Sequence, residues 1–208
     1  MRRSSALPFA IHCGHASTLA ERYPETSAAS TDGTSTHAEI SAGIRGEAEP
    51  TSEQAKAAVA WVRKLIHEMK RGGIDPELCV EREIYLLDDE THDYELLTVG
   101  HLDLSIETAE IVHIVDWKRS KWGNVPEPDH NPQLISYGLA RSLERPFQMH
   151  LIFGDDQDEW GNVRPKSSGV ICPNEHATLT AWIRTLATRD ASLQPSGAAQ
   201  AGRREGHS

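Results

Sequence analysis

Three charged side chains raise the first chemical question: Asp103, Asp116 and Lys118. Asp116 closes the run Ile111-Val112-His113-Ile114-Val115, which is β-branched and apolar, the composition of a buried central strand. Strand side chains alternate, so Asp116 and Lys118 leave that strand on one face, two residues apart. Upstream, Leu102, Leu104 and Ile106 alternate with His101, Asp103 and Ser105, the period of a half-buried strand. A hairpin through Glu107-Thr108-Ala109-Glu110 brings Asp103 towards the same end. Two carboxylates and an ammonium then meet at the rim of a sheet. Such a group suits a hard divalent cation held by oxygen ligands, with a lysine beside the reacting water. Any one of these charges alone reads as well as a solvated strand end, so the remaining polar residues decide the matter.

His37 stands three residues after Thr34 in Gly33-Thr34-Ser35-Thr36-His37, where a surface or capping role competes with metal ligation. Glu81 and Glu83 share one face of the strand expected over residues 78–87, and either one reaches the carboxylates. Gln133 and Tyr137 lie at i, i+4 on one side of a helix, with packing and exposure as their bland alternatives. Arg119, Lys121 and Trp122 fall in the loop directly after Lys118, placed to contact phosphates and to stack on a base.

The elements that must hold these residues follow from periodicity and punctuation. Residues 26–32 read as a loop and residues 32–40 as a turn feeding a short helix, with a linker over 42–50. Thr51 with Gln54 has the form of a capping box. It opens an amphipathic helix carrying Ala55, Ala58, Val59, Val62, Leu65, Ile66 and Met69 at helical spacing, stopped by Gly72-Gly73. Three strands over 78–87, 102–106 and 111–115 come next, and then a loop over 119–130. Asn131-Pro132 supplies a cap and a first-turn proline for a helix over 133–143. A strand over 147–153, a short one at 169–171 and an amphipathic helix over 174–189 complete the pattern. The order predicts an α/β (α+β) fold with a central mixed sheet flanked by helices.

Composition narrows the class. In 208 residues, 21 basic and 31 acidic side chains give a net charge of -10, which argues against broad electrostatic coating of nucleic acid but leaves room for a local basic groove. Cys13, Cys79 and Cys172 form no close pair, as in a reduced, cytosolic protein. No apolar run has the length of a membrane span, and the opening residues lack a signal-peptide core. Residues 190–208 are rich in Ser, Gly, Gln and Arg without apolar period, the composition of a disordered tail.

Taken in order, GTSTH, VERE, GHLDL, VDWK and NPQLISY resemble the motifs of the RecB-like nucleases of the PD-(D/E)XK superfamily, and more narrowly the phage- and prophage-borne exonuclease branch. The opening SSALPFAIHCGHASTLAERYPETS is similar to the start of that branch as well. The resemblance spans about residues 4–153 and implies a restriction-endonuclease-like core over residues 34–189, behind an N-terminal segment, 1–33, partly packed on it. It implies an Mg²⁺-dependent deoxyribonuclease, with Mn²⁺ substituting, acting on DNA in a bacterial host's cytoplasm and working beside a single-strand annealing or recombination protein. By the same likeness Asp103 and Asp116 are metal ligands, the Trp117 carbonyl is a further oxygen ligand and His37 an accessory one. Lys118 is then the catalytic lysine, Glu81 joins the site, and Gln133 and Tyr137 face the active site and the substrate. Some relatives carry a four-cysteine iron–sulfur cluster, for which this chain lacks the downstream cysteines, so none is expected. The rival expectation is a catalytically inactive DNA-binding or recombination-accessory protein on the same fold.

Overall fold

In the computed structural model, which describes residues 28–88, 95–118 and 125–189 together with Leu7, helices cover both faces of one sheet. In chain order the elements are α1 (Ala28–Arg45), α2 (Glu53–Arg71), β1 (Glu77–Asp88), β2 (Glu95–Glu107), β3 (Val112–Lys118), a 3-10 turn (Pro128–His130), α3 (Pro132–Ser142), β4 (Phe147–Phe153), β5 (Lys166–Ser167) and α4 (Pro173–Arg189). The sheet runs β1-β2-β3-β4-β5. All neighbours are antiparallel except β3 and β4, which are parallel and joined through α3. This is the α/β architecture with a mixed sheet that the element order predicts. Among the described residues no helix is long and apolar enough to cross a membrane.

The apolar run of β3 is continuous because both its faces are covered. Val112 and Ile114 join Phe147, Met149, Leu151, Leu134, Ile135 and Ile183 in a core beneath α3 and α4, where Leu7 is also buried. Val115 and Trp117 face the other way, into a core with Ile40 and the Ala55, Ala58, Val59 and Val62 face of α2. The sheet end of α3 is seated by Gly138: a Cβ there would come within 2.2 Å of the Phe147 ring, so a side chain would push α3 off β4.

Several boundaries differ from expectation, each for a local reason. α1 begins at Ala28 and runs to Arg45, containing the short helix expected by residue 40 but extending it across the expected loop and part of the linker; its apolar contacts with α2 override a Ser/Thr/Gly-rich composition of weak helix propensity. The N-cap of α2 is Ser52, whose hydroxyl accepts from the Ala55 N–H at 3.3 Å. Thr51 instead donates to Glu39 of α1 at 2.6 Å, so the cap lies one residue later than expected and, with Ala55 at the third helical position, the expected capping box does not form. The expected strand at 169–171 is reduced to a bridge between Phe147 and Ile171, and the short edge strand is β5. β2 starts seven residues earlier than its alternation suggests, paired with β1 along its length.

Candidate metal centre

The site lies where the sheet forks. The β2–β3 ladder extends only from Glu107↔Val112 to Leu104↔Val115. Beyond that point β2 leaves β3, and the Asp103 carboxylate takes the place of a ladder carbonyl: its Oδ2 accepts the Trp117 N–H at 2.9 Å. The divergence has a visible cause in both strands of the β1–β2 pair. Val80 and Leu104 pack against the α2 side of the sheet, whereas Ile84 and Leu102, an even number of residues away, pack on the α3 side. The alternation reverses at Glu81 and Asp103. Glu81 has φ +50, a left-handed conformation in the middle of a strand that costs a non-glycine residue about 1–3 kcal/mol. Val80 pairs with Leu104 and Arg82 with Leu102, so Glu81 stands opposite Asp103. Like charges directly opposite on neighbouring strands destabilise a sheet; a cation between them would remove that cost.

Around this kink the donors gather. One ligand atom each of His37, Glu81 and Asp103 lie within 4.8 Å of one another, and His37 Nδ1 is 3.4 Å from Asp103 Oδ1. Burial works against the His37 imidazolium, but the Asp103 carboxylate beside it, with Asp116 and Glu81 behind, holds its pKa above 6.5. Glu81 is gripped at both oxygens: Ser41 donates to Oε1 at 2.7 Å and His101 Nε2 lies 2.8 Å from Oε2. On the same side, Asp116 Oδ2 meets Lys118 Nζ at 2.7 Å, the pairing that two-residue spacing on a strand predicts. Burial pushes the Asp116 carboxyl up to about 6, opposed by Lys118 and reinforced by Asp103. Burial also works against the Lys118 ammonium, yet the Asp116 carboxylate outweighs it and the lysine pKa is raised.

α3 closes the site from the third side. Gln133 Nε2 donates to the Tyr137 hydroxyl at 2.9 Å, and the His101 backbone favours the ionised form of that hydroxyl. The pair therefore sets α3 against β2 two residues before Asp103. Burial, and the nearby Asp116 and Asp103 charges, push the Tyr137 phenol far up despite the Gln133 hydrogen bond, so it remains a neutral hydroxyl.

Thus His37, Glu81, Asp103, Asp116, Lys118, Gln133 and Tyr137 come together from α1, β1, β2, β3 and α3. Glu83 does not join them: it is exposed and accepts a hydrogen bond from Tyr85. Trp117 enters through its N–H, while its side chain is buried on the α2 side. Arg119, Lys121 and Trp122 lie outside the described residues, as does Cys13. Ser41 and His101 were missed from the sequence. The one available signal for His101 was its place two residues before Asp103; for Ser41 it was the i+4 spacing from His37 on a helix whose extension beyond residue 40 the sequence does not reveal.

The donor set fits a divalent ion. Two opposed carboxylates and an imidazole, with a third carboxylate beside them, offer hard oxygen ligands and one nitrogen, a combination that Mn²⁺ accepts more readily than Mg²⁺. No protein-family model and no curated protein matches this chain. Among solved structures, the chain aligns with the crystal structure of SSO0001 at 20% identity, over 78% of this chain and 77% of that one, with a TM-score of 0.35. At that score the alignment carries no argument about fold or function.

Proposed function

We propose that the protein is a divalent-metal-dependent deoxyribonuclease that hydrolyses phosphodiester bonds, with its active site at the β2–β3 fork. The observation that carries this reading is the convergence of His37, Glu81 and Asp103 within 4.8 Å beside the buried Asp116–Lys118 pair. His37, Glu81 and Asp103 would hold the ion, with Asp116 at its side. A bound cation supplies positive charge next to the phosphoryl oxygens and acidifies water. The chain's own residues do the rest. Lys118, charged and anchored by Asp116, points its remaining N–H donors at the attacking water and at the oxygen where charge develops. Its raised pKa excludes it as a base at neutral pH and fits it for orientation and charge neutralisation. Ser41 and His101 hold Glu81 in its strained conformation, as hydrogen-bonded outer residues do for ligating carboxylates. Gln133 and Tyr137 brace the strand that carries Asp103 and present polar groups to substrate.

The five-motif resemblance extends the reading to a RecB-like exonuclease of phage or prophage type, acting in the cytoplasm of a bacterial host in DNA processing or recombination, alongside an annealing or recombination protein. The test is purified protein on end-labelled linear and closed circular DNA, with Mg²⁺, Mn²⁺ or chelator. Metal-dependent loss of the linear substrate, with the circle spared, supports the exonuclease reading, whereas cleavage of the circle makes the enzyme an endonuclease. Tight DNA binding with no hydrolysis in any metal would establish the inactive, accessory alternative instead.

A further inference from the structure

α1 carries more than His37 along its sheet-facing stripe. His37, Ser41 and Arg45 recur at i, i+4 and i+8, one above another on a helix. They meet Asp103, Glu81 and the Val80 carbonyl in turn, the last at 3.2 Å from Arg45 Nη2. The stripe therefore leads out of the proposed metal site along the edge of β1. Where it ends, a groove opens on the free edge of that strand, lined by Arg45, Arg82 and Arg141 with Val80, Cys79 and Glu77. Arg82 directly follows Glu81 in β1 and is exposed, and its guanidinium has no hydrogen bond or ion pair among the described residues. Arg45 keeps its Nη2 on Val80 and a long 4.0 Å approach to Glu47. Arg141 is committed to Glu107 and contributes field rather than contact.

With Arg141 answered by Glu107, two guanidinium groups, Arg45 and Arg82, stand against the Glu77 carboxylate in the lining. In a chain of net charge -10 this makes the groove a local exception to the protein's own electrostatics. Arginine is the side chain whose planar fork matches phosphate oxygens. Resting on the nuclease reading, we infer that Arg45 and Arg82 form a phosphate-binding subsite that grips the substrate strand away from the bond being cut. The spacing sets the distance. Eight residues of helix between His37 and Arg45 amount to about 12 Å, or about three to four nucleotide steps at 3.4 Å each. The groove thereby supplies a positive contact beside an acidic active site, and it fixes which side of the cleaved phosphate the strand occupies.

The experiment compares the parent protein with Arg82→Gln and Arg45→Gln, with thermal melts to confirm folding. Binding of a fluorescent oligonucleotide is followed over a salt series, and hydrolysis is measured on DNA and on bis(p-nitrophenyl) phosphate, a diester with no neighbouring phosphates. Each variant should raise KM for DNA about fivefold and reduce the slope of log affinity against log salt by about 1. Turnover of the small diester should be unchanged. Unchanged KM and salt slope in both folded variants would overturn the subsite. If Arg82→Gln lowers the salt slope while the parent cleaves neither diester, the groove stands and the nuclease reading falls. Oligonucleotides with and without a terminal phosphate separate the two sources of the ligand: equal affinity assigns internal diesters, and a loss on removing the terminal group assigns the strand end.

Discussion

β2 carries two buried carboxylates four residues apart, and they live under opposite conditions. Glu107, at the hairpin end, is neutralised several times over: Arg141 Nε and Arg145 Nη2 reach it at 2.9 and 3.1 Å, and the Ser105 hydroxyl donates at 2.7 Å. Burial would raise its pKa, but these partners outweigh it and hold the carboxyl below its ordinary value. Asp103, at the fork, faces Glu81 and has Asp116 nearby. Among the described residues Lys118 is the one lysine or arginine paired with these three carboxylates, while the His37 ring lies 3.4 Å from Asp103 and the His101 ring 2.8 Å from Glu81. Its neighbour Asp116 is pushed the other way, up to about 6. The first cluster is closed, with every charge answered from within the fold. Among the described residues the second sets three carboxylates against one lysine, beside a strained backbone at Glu81. Burial and charge are common to both; incomplete compensation marks the site.

The contrast can be broken at either end. The largest effect expected is at Asp116. Asp116→Asn keeps the volume and removes the anchor of Lys118, so hydrolysis should fall by at least about a thousandfold in a protein whose melting temperature is not lowered; full activity in the folded variant would remove Asp116 from the site. His37→Ala comes next. A neutral ligand contributes less than a carboxylate, so activity should fall by roughly ten- to a hundredfold, with partial recovery at raised Mn²⁺. Metal titrations of the rate read this directly, and an unchanged metal dependence would leave His37 as a helix residue and nothing more.

Stability sharpens the same comparison. Glu107→Gln leaves two partly buried guanidinium groups under-compensated and should cost about 2 kcal/mol, a melting temperature about 4–8 °C lower. Glu81→Gln in metal-free protein should do the reverse, raising it by about 2–4 °C, because it removes one of two opposed carboxylates. Calorimetric melts in chelator, with the two variants moving in the same direction, would refute the distinction.

The smallest effect is a pH slope away from both clusters. His150, buried between His113 (Nδ1 to Nε2, 3.0 Å) and Ser167 (2.8 Å) and against the Trp61 ring, has its pKa driven down to about 3, first by burial and then by His113. The unfolded chain takes up that proton near pH 6.5 and the folded one does not. Stability is therefore complete above pH 6.5 and falls as pH descends, by up to about 1.4 kcal/mol per pH unit. Asp116 and His37, whose folded pKa values are raised, gain stability as pH falls through the same window, so the slope is read as the difference between parent and His150→Gln melts from pH 6.5 to 5. The window lies above the range in which Glu107 loses its own contribution, which disappears only as pH falls below 4.5 through its lowered pKa.

What was legible in the sequence follows strand and helix periods, and what was hidden follows tertiary departures from them. β3, the Asp116–Lys118 pairing and the α3 start at Asn131-Pro132 read directly, because each is a local pattern. The choice between Glu81 and Glu83 could not be read: the left-handed residue at 81 reverses the face of everything beyond it, and period-two logic assumes no such reversal. The full length of α1 was hidden: a short helix over 32–40 could be read, but the Ser, Thr and Gly residues favour a loop, and contacts with α2 and β1 carry the helix through them. Ser41 and Arg45 were hidden with it.

The central claim is that the fork, and not Glu107, is where the molecule takes a divalent cation. Calorimetric titration of metal-free protein with Mn²⁺ tests it most directly, using the parent, Asp103→Asn and Glu107→Gln. The account predicts saturable binding by the parent, weakened at least about tenfold in Asp103→Asn and unchanged in folded Glu107→Gln. Absence of binding by the parent, or equal affinity in Asp103→Asn, would contradict it.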